Sequence, residues 1–206
     1  MSCIYVNGTI KDMMENNLYN THLFRAIEAY PWELEKAVEA LNYALAYDPE
    51  NVKALHLMAK VHYEQLGDYE AAKVYFERAL ASNIESPDLY PEYIRLLINN
   101  EDYEEAQKLI DFAKTLKGVG KAGIALTQGQ LYESLAKYEE AEKTLKEAKQ
   151  LALNDDFISF VDAMLSRLKK KRQAKANETK VAENEAKKVT EKQQKSWLQN
   201  RLNNLL

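Results

Sequence analysis

Small and large apolar residues recur along this chain in a pattern that repeats every 34 or 35 residues. Each copy has two alanines one heptad apart, a bulky apolar residue between them, and a leucine or tyrosine shortly before the first alanine. The copies are Leu34, Ala37, Leu41 and Ala44; Tyr69, Ala72, Phe76 and Ala79; Tyr103, Ala106, Ile110 and Ala113; and Tyr138, Ala141, Leu145 and Ala148. Self-similarity at this period predicts a stacked array of helical hairpins.

Apolar residues at helical spacing, bounded by Gly, Pro, Asn and Asp, predict eight helices in four pairs. The alanines allow the second helix of each pair to lie close to its neighbours, and the bulky residue fills the space between them. Each pair leaves an apolar face bare until the next pair stacks on it. The predicted helices are 18–30 and 33–47, 52–65 and 69–82, 87–100 and 103–117, and 121–135 and 138–152.

The repeat unit resembles the tetratricopeptide repeat across residues 18–153. The second unit carries the resemblance best, and its matching residues are Ala59, Tyr63, Gly67, Asp68, Tyr69, Ala72, Phe76 and Ala79. The resemblance implies an all-α, right-handed superhelical solenoid of four hairpins that binds other proteins. Two departures stand out: an extra residue near Leu66 lengthens the second unit, and the third unit ends in Gly-Val-Gly without a proline.

Three segments lie outside the repeats. Residues 1–17 contain Asn7-Gly8 between β-prone residues, which is a hairpin signal, and we expect either a short hairpin or a poorly ordered arm. Residues 154–172 continue the helical apolar spacing and predict a ninth helix that caps the last repeat. Residues 173–206 predict a polar, partly helical, basic extension that ends in an amphipathic segment.

Charge divides the chain into an acidic body and a basic tail. Residues 1–168 carry 17 Lys and Arg against 28 Asp and Glu, whereas residues 169–206 carry 11 against 4. The basic block formed by residues 169–172 and Lys175 could meet nucleic acid or an anionic membrane. It lacks interleaved aromatic residues, so we interpret it as a solvated helix end and keep an RNA-associated role as an alternative.

The single cysteine, Cys3, excludes an intramolecular disulfide and fits a reducing compartment. We find no basic segment followed by an apolar run near the N-terminus and no stretch of 18 apolar residues. We therefore expect no signal peptide, no transmembrane segment and a cytoplasmic location.

One stretch has the letters of a nucleotide-binding motif. Residues 118–123 read Gly-Val-Gly-Lys-Ala-Gly, which matches the dinucleotide pattern, but that chemistry needs a preceding strand and a helix is predicted there instead. We expect these glycines to end that helix and turn the chain. The histidines His22, His56 and His62 lack metal-ligand spacing, and no catalytic set is evident, so we expect no enzyme activity, cofactor or metal.

The better candidate is a surface, because the resemblance implies that the first helix of each pair lines a concave groove. On this face, polar residues spaced 35 positions apart are expected to form a column. Such a column would suit a carboxylate or an acidic or C-terminal peptide. An ordinary solvated surface is the alternative. The column consists of Arg25, Lys60, Arg95 and Gln130, and His56, Tyr63, Tyr90 and Tyr132 are expected nearby.

A subfamily of these repeats binds chaperone C-termini with a clamp of lysines and asparagines. Arg95 alone has the right chemistry at a clamp position, because Pro91 stands where a lysine is expected and Leu57 and Lys60 provide no amide. The sequence therefore argues against binding of chaperone tails.

The last eleven residues form a second candidate contact site. Ser196 is expected to cap a short helix on which Leu198, Leu202 and Leu205 share a face flanked by Trp197. Such a helix could dock in a partner's groove, on another copy of the chain or back on its own repeats.

Together these features predict a non-enzymatic adaptor or assembly subunit that binds other proteins through the groove and the C-terminal helix. A dedicated chaperone-like module for one client is the principal alternative, and self-association through the C-terminal segment stays open.

Overall fold

The computed structural model describes residues 21–203, apart from the side chains of 179–192, 194–196, 198–200 and 202–203. Within that range the chain is a succession of helices joined by turns, with no strand. The helices are α1 (21–29), α2 (Leu34–Tyr47), α3 (Val52–Lys60), a π-helical turn that continues α3 (Val61–Leu66), α4 (Tyr69–Ser82), α5 (Leu89–Asn99), α6 (Tyr103–Ala113), α7 (Lys121–Ser134), α8 (Tyr138–Gln150) and α9 (Asp155–Asn203).

The helices form consecutive hairpins that stack in chain order. Within the units, α3 packs on α4, α5 on α6 and α7 on α8, while α2 packs on α3, α4 on α5, and both α5 and α6 on α7. The last helix, α9, packs on α8. The predicted all-α helical-repeat solenoid is therefore confirmed.

The alanine pattern forms the core. The eight alanines of the two sets and the four bulky residues between them are all at most 1% exposed. Three apolar clusters follow one another along the stack: one in the first two units, a central one, and one that joins the fourth unit to Val161, Met164 and Leu168 of α9. Because these clusters span neighbouring hairpins, the stability of the stack is built from contacts between adjacent units.

The extra residue of the second unit is accommodated in the π-helical turn Val61–Leu66. A π-helical turn holds one more residue than an α-helical one, so the chain enters α4 in register despite the insertion. The turn bonds show the difference directly, because Asp68 N–H reaches back six residues to the carbonyl of His62, whereas Asp102 and Lys137 reach back five.

The connection between α6 and α7 corrects one expectation. Residues 118 and 120 do not end α6, because α6 already ends at Ala113, and the next bonds, from the N–H of Thr115 and Leu116, are short-range turn bonds. Gly118 instead has φ of 88°, a left-handed conformation that lets the chain turn into α7.

A second correction concerns the C-terminal part. Helix α9 runs without interruption for 49 residues, about 74 Å at the α-helical rise, so Ser196 lies within it and does not cap a separate short helix. The physical reason is composition, since residues 155–203 contain no Gly or Pro and are rich in Lys, Glu, Gln and Ala. The N-terminal segment predicted as a hairpin or loose arm lies outside the described residues.

Candidate functional site

The first helices of units two to four, α3, α5 and α7, form one surface, which we call the first-helix face. Its middle is a network around Glu92 of α5. The Glu92 carboxylate lies 2.8 Å from His56 Nε2 and 3.6 Å from Lys60 Nζ, and Lys60 is also 3.8 Å from Glu64. Burial acts to raise the pKa of Glu92, but the hydrogen bond with His56 and the nearby charges of Lys60 and Arg95 outweigh it and lower that pKa. The positive charge of Lys60 is therefore balanced within the protein.

Tyrosines extend this network to the neighbouring helices. Asn99 of α5 donates a hydrogen bond of 2.6 Å to the Tyr63 hydroxyl, and Tyr30 donates its hydroxyl proton to Glu64. Burial raises the pKa of Tyr63, although the nearby Arg95 acts in the opposite direction. These bonds join units one, two and three across the same face.

The C-terminal end of the face contains a cavity of about 360 Å³, which we call the Arg95 pocket. It opens between α5, α7 and α9, and three cations face one carboxylate there. Its lining residues are Arg95, Ile98, Asn99, Gln130, Glu133, Ser134, Arg167 and Lys171. The lining thus carries a formal excess of two positive charges.

Glu133 organises the cations that α9 contributes. Its side chain is 5% exposed and accepts hydrogen bonds from Arg167 Nε at 3.0 Å and Nη2 at 2.7 Å, while Lys171 Nζ lies 2.8 Å away. Burial acts to raise the pKa of Glu133, but the hydrogen bonds from Arg167 and Lys171 outweigh it and lower that pKa. Glu133 is therefore a stable anion that holds two cations at the edge of the pocket.

Arg95 differs from these cations. Its side chain is exposed, and among residues 21–203 it belongs to none of the ion pairs within 4 Å. Gln130, which lines the same pocket, has a buried Oε1 atom without a hydrogen-bond partner. The pocket therefore combines an exposed guanidinium with an amide whose hydrogen-bonding capacity is not fully used.

The predicted column is divided among separate places. Arg25 lines a different pocket, formed by α1 and α2, and Lys60 belongs to the Glu92 network, whereas Arg95 and Gln130 share one pocket. The expectation that Tyr90 lies on the groove surface is wrong. Tyr90 is fully buried, and its hydroxyl donates to the carbonyl of Ile84, because its position on α5 faces the core.

The remaining predicted residues fall at the far end of the chain or at its fourth unit. Tyr132 is half-buried and packs against the apolar cluster that joins the fourth unit to α9. Trp197 is 58% exposed, with the Arg201 guanidinium 5.3 Å from the centre of its ring. The side chains of Leu198 and Leu202, and all of Leu205, lie outside the described part of the chain.

Sequence reasoning missed Arg167 and Lys171, which were not among the predicted site residues. The sequence did contain a sign of them. They are four residues apart on a helix that the apolar spacing predicts, and residues at this spacing lie on one side of a helix. The basic block is exposed, as expected, but it also makes contacts with the repeats. Lys171 contacts Glu133, Arg172 contacts Glu142 at 2.9 Å, and Lys175 lies over the Tyr138 ring.

The three histidines, which were considered as possible metal ligands, do not lie together. His22, His56 and His62 lie in three different environments, and residues 21–203 contain no cluster of three or more potential metal ligands. No helix in the same part of the chain is both long and apolar enough to cross a membrane.

Comparison with known families agrees with the fold. Two models of the tetratricopeptide repeat match the chain, one at residues 65–111 and one at residues 122–155. With the stacked hairpins described above, these matches identify the chain as a tetratricopeptide-repeat protein, and such repeats form protein–protein interaction scaffolds. None of the curated proteins compared with the chain matches it by sequence.

Solved structures share the architecture at low identity. PilF of Pseudomonas aeruginosa is 18% identical with a TM-score of 0.64, over 78% of this chain and 71% of that one. A tetratricopeptide-repeat protein of Parabacteroides merdae is 20% identical with a TM-score of 0.61, over 78% and 60%. MamA is 19% identical with a TM-score of 0.58, over 69% and 82%. At these identities the likeness establishes the fold alone.

Proposed function

We propose that this protein is a non-enzymatic scaffold that binds an acidic segment of a partner protein on its first-helix face, with the Arg95 pocket as the main contact. The single observation that carries this proposal is the arrangement of charge in that pocket. Arg95, Arg167 and Lys171 line the pocket together with one carboxylate, Glu133, on a body that is otherwise strongly acidic. A local cationic concavity of this kind attracts carboxylates and orients them.

The rest of the face favours the same location. Lys60 is balanced by Glu64 and Glu92, so the second unit offers little net attraction to an anion. The Arg95 guanidinium, by contrast, presents a planar fork that suits a carboxylate in two-point contact. Tyr63 and Asn99, which already bond to each other beside Arg95, would contact the backbone or side chains that flank the bound acid.

Helix α9 supports a second contact in the same proposal. Its last contacts with the repeats include Arg172 and Lys175, and Trp197 lies 22 residues further along the same helix, about 33 Å at the α-helical rise. The exposed Trp197, together with Leu198, Leu202 and Leu205, would then contact another protein at a distance from the groove. Two separated contact sites suit an adaptor that bridges partners.

The test is an affinity pull-down from the native cell with the full chain, the Arg95→Glu variant and a chain that lacks residues 196–206. Lys108→Glu is the matched control, because Lys108 is exposed on α6, a second helix. The proposal predicts that Arg95→Glu loses one set of partners, that the truncated chain loses another, and that Lys108→Glu keeps both. Equal recovery of all partners by Arg95→Glu and by the intact chain would overturn the groove assignment.

A further inference from the structure

A second cavity, larger than the Arg95 pocket, lies elsewhere on the fourth unit. This cavity of about 720 Å³ opens on the opposite side of α7, between the end of α6, the 114–120 connection and α8. The two cavities share no lining residue, and at 100° per residue Ile124 and Gln128 lie on the face of α7 opposite Gln130 and Glu133. Its volume falls in the range of pockets that hold small organic molecules.

The cavity lies at the longest of the connections between consecutive units along residues 21–203. The connection from α6 to α7 has seven residues, whereas four residues join α2 to α3 and six join α4 to α5. Gly118 turns this connection with φ of 88°. Five residues of this connection line the cavity, namely Lys114, Leu116, Lys117, Gly118 and Val119.

The walls are apolar and the rim is cationic. Leu116, Val119, Ile124, Ala125 and Leu151 supply the apolar surface. Lys114, Lys117 and Lys121 line the same cavity, in which Glu147 is the single carboxylate. Among the ion pairs within 4 Å in residues 21–203, none involves Lys117 or Lys121, so their charge is not balanced by a close carboxylate.

Two further features add positive charge at the cavity. Gln128 is 3% exposed, and its Oε1 accepts a hydrogen bond of 2.9 Å from Lys114 Nζ, which holds that ammonium at the cavity. Helix α7 begins at Lys121 after Gly120 and has no side-chain cap, a feature that it shares with α2, α5, α6 and α8. The uncapped N–H groups add partial positive charge at the end where the lysines stand.

We infer that this cavity binds a small organic anion with an apolar body, such as a medium-chain carboxylate, whose hydrocarbon part lies against Ile124 and Leu151 and whose charged end lies among the three lysines. This site is independent of the proposed partner contact at Arg95, since it lies on the other face of α7. A bound ligand would also stabilise the connection between the third and fourth units, because it would contact both.

The experiment uses the full chain and octanoate, with 1-octanol as the neutral probe of equal length. Binding is followed by amide chemical shifts in two-dimensional NMR spectra. The expected result is saturable binding of octanoate with shifts at Val119, Lys121 and Ala125, and at least about tenfold weaker binding of octanol. Lys117→Glu with Lys121→Glu should weaken octanoate binding by a similar factor.

The matched control is Lys108→Glu with Lys137→Glu, two exposed lysines that do not line the cavity, and it should bind octanoate within about twofold of the original chain. Thr144→Trp, which fills the cavity from α8, should abolish the shifts while the circular dichroism spectrum stays unchanged. The inference is overturned if octanoate does not saturate, if octanol binds as tightly as octanoate, or if the Lys117 and Lys121 reversals leave affinity unchanged.

Discussion

Glu133 of α7 and Arg167 of α9 form a two-point ion pair, with hydrogen bonds of 3.0 and 2.7 Å, across 34 residues of sequence. The pair fixes the start of the long C-terminal helix on the fourth unit. It also brings the Arg167 guanidinium into the same pocket as Arg95. One buried carboxylate thus has a structural role and a role in shaping the candidate site.

Glu133→Gln should lower the free energy of unfolding by about 1–2 kcal/mol at pH 7, since it leaves Arg167 and Lys171 without their anion. This loss of free energy is smaller than for a fully buried ion pair, because the Arg167 side chain is 56% exposed. The pKa of Glu133 lies below its ordinary value of 4.5, so this stabilisation is present above pH 4.5 and is lost as the pH falls through the lowered pKa.

Urea unfolding between pH 7 and pH 3 measures this effect. The difference between the original chain and Glu133→Gln should shrink towards zero at the acid end, whereas Glu139→Gln, at an exposed position of α8, should match the original chain throughout. A difference that stays constant from pH 7 to pH 3 would show that the ion pair is not its source.

Shortening α9 should separate its structural part from its projecting part. A chain that ends at residue 178 keeps the contacts of Lys171, Arg172 and Lys175 with the repeats, and we expect its unfolding free energy to stay within about 0.5 kcal/mol of the full chain. A chain that ends at residue 168 loses all three contacts and should be less stable by about 1–2 kcal/mol. Equal stability of the two shortened chains in urea would contradict this division.

Substitutions at equivalent positions of the turns within the hairpins should change stability in opposite directions. Gly67, Glu101 and Ala136 occupy the same position in the turns before α4, α6 and α8, and their φ angles are 65°, 64° and 55°. Gly67→Ala should cost about 1 kcal/mol through backbone strain alone, because nothing lies within 4 Å of the added methyl group. Ala136→Gly should gain up to about 1 kcal/mol, and thermal unfolding of both variants measures the two signs. Changes of the same sign would contradict this interpretation of the turn.

Ala106→Leu tests the packing role of the alanines. Ala106 is fully buried in the central cluster, so the larger side chain should overpack it and cost about 1–3 kcal/mol in urea unfolding. Ala81→Leu, an exposed position on α4, is the matched control and should change stability by less than about 0.5 kcal/mol. A tolerated leucine at position 106 would mean that the spacing of the units is not set by these alanines.

The repeat fold could be predicted from sequence because each alanine and each bulky residue packs within its own hairpin or the next one. Their periodicity therefore records the contacts directly. The insertion near Leu66 was also visible, although its structural form, a π-helical turn, depends on how α3 keeps register with α4. Ser196 was misinterpreted because capping preference is local, whereas the absence of helix breakers from 155 to 203 lets α9 continue through it.

The candidate site was predicted only in part. Arg95 and Gln130 follow the repeat spacing and do share a pocket, but spacing alone could not show that Lys60 is balanced by Glu92 or that Tyr90 faces the core. Arg167 and Lys171 reach the pocket through a helix outside the repeats. Their position depends on how α9 packs against α7 and α8, which no periodic pattern records.

The most direct test of the proposed function is the dissociation constant of a partner recovered with the intact chain, measured for that chain, for Arg95→Glu and for Lys108→Glu. If the partner binds in the Arg95 pocket, Arg95→Glu should raise the dissociation constant by at least about tenfold, because it replaces an attraction by a repulsion, and Lys108→Glu should leave it within about twofold. Equal dissociation constants for all three chains would contradict binding in the Arg95 pocket.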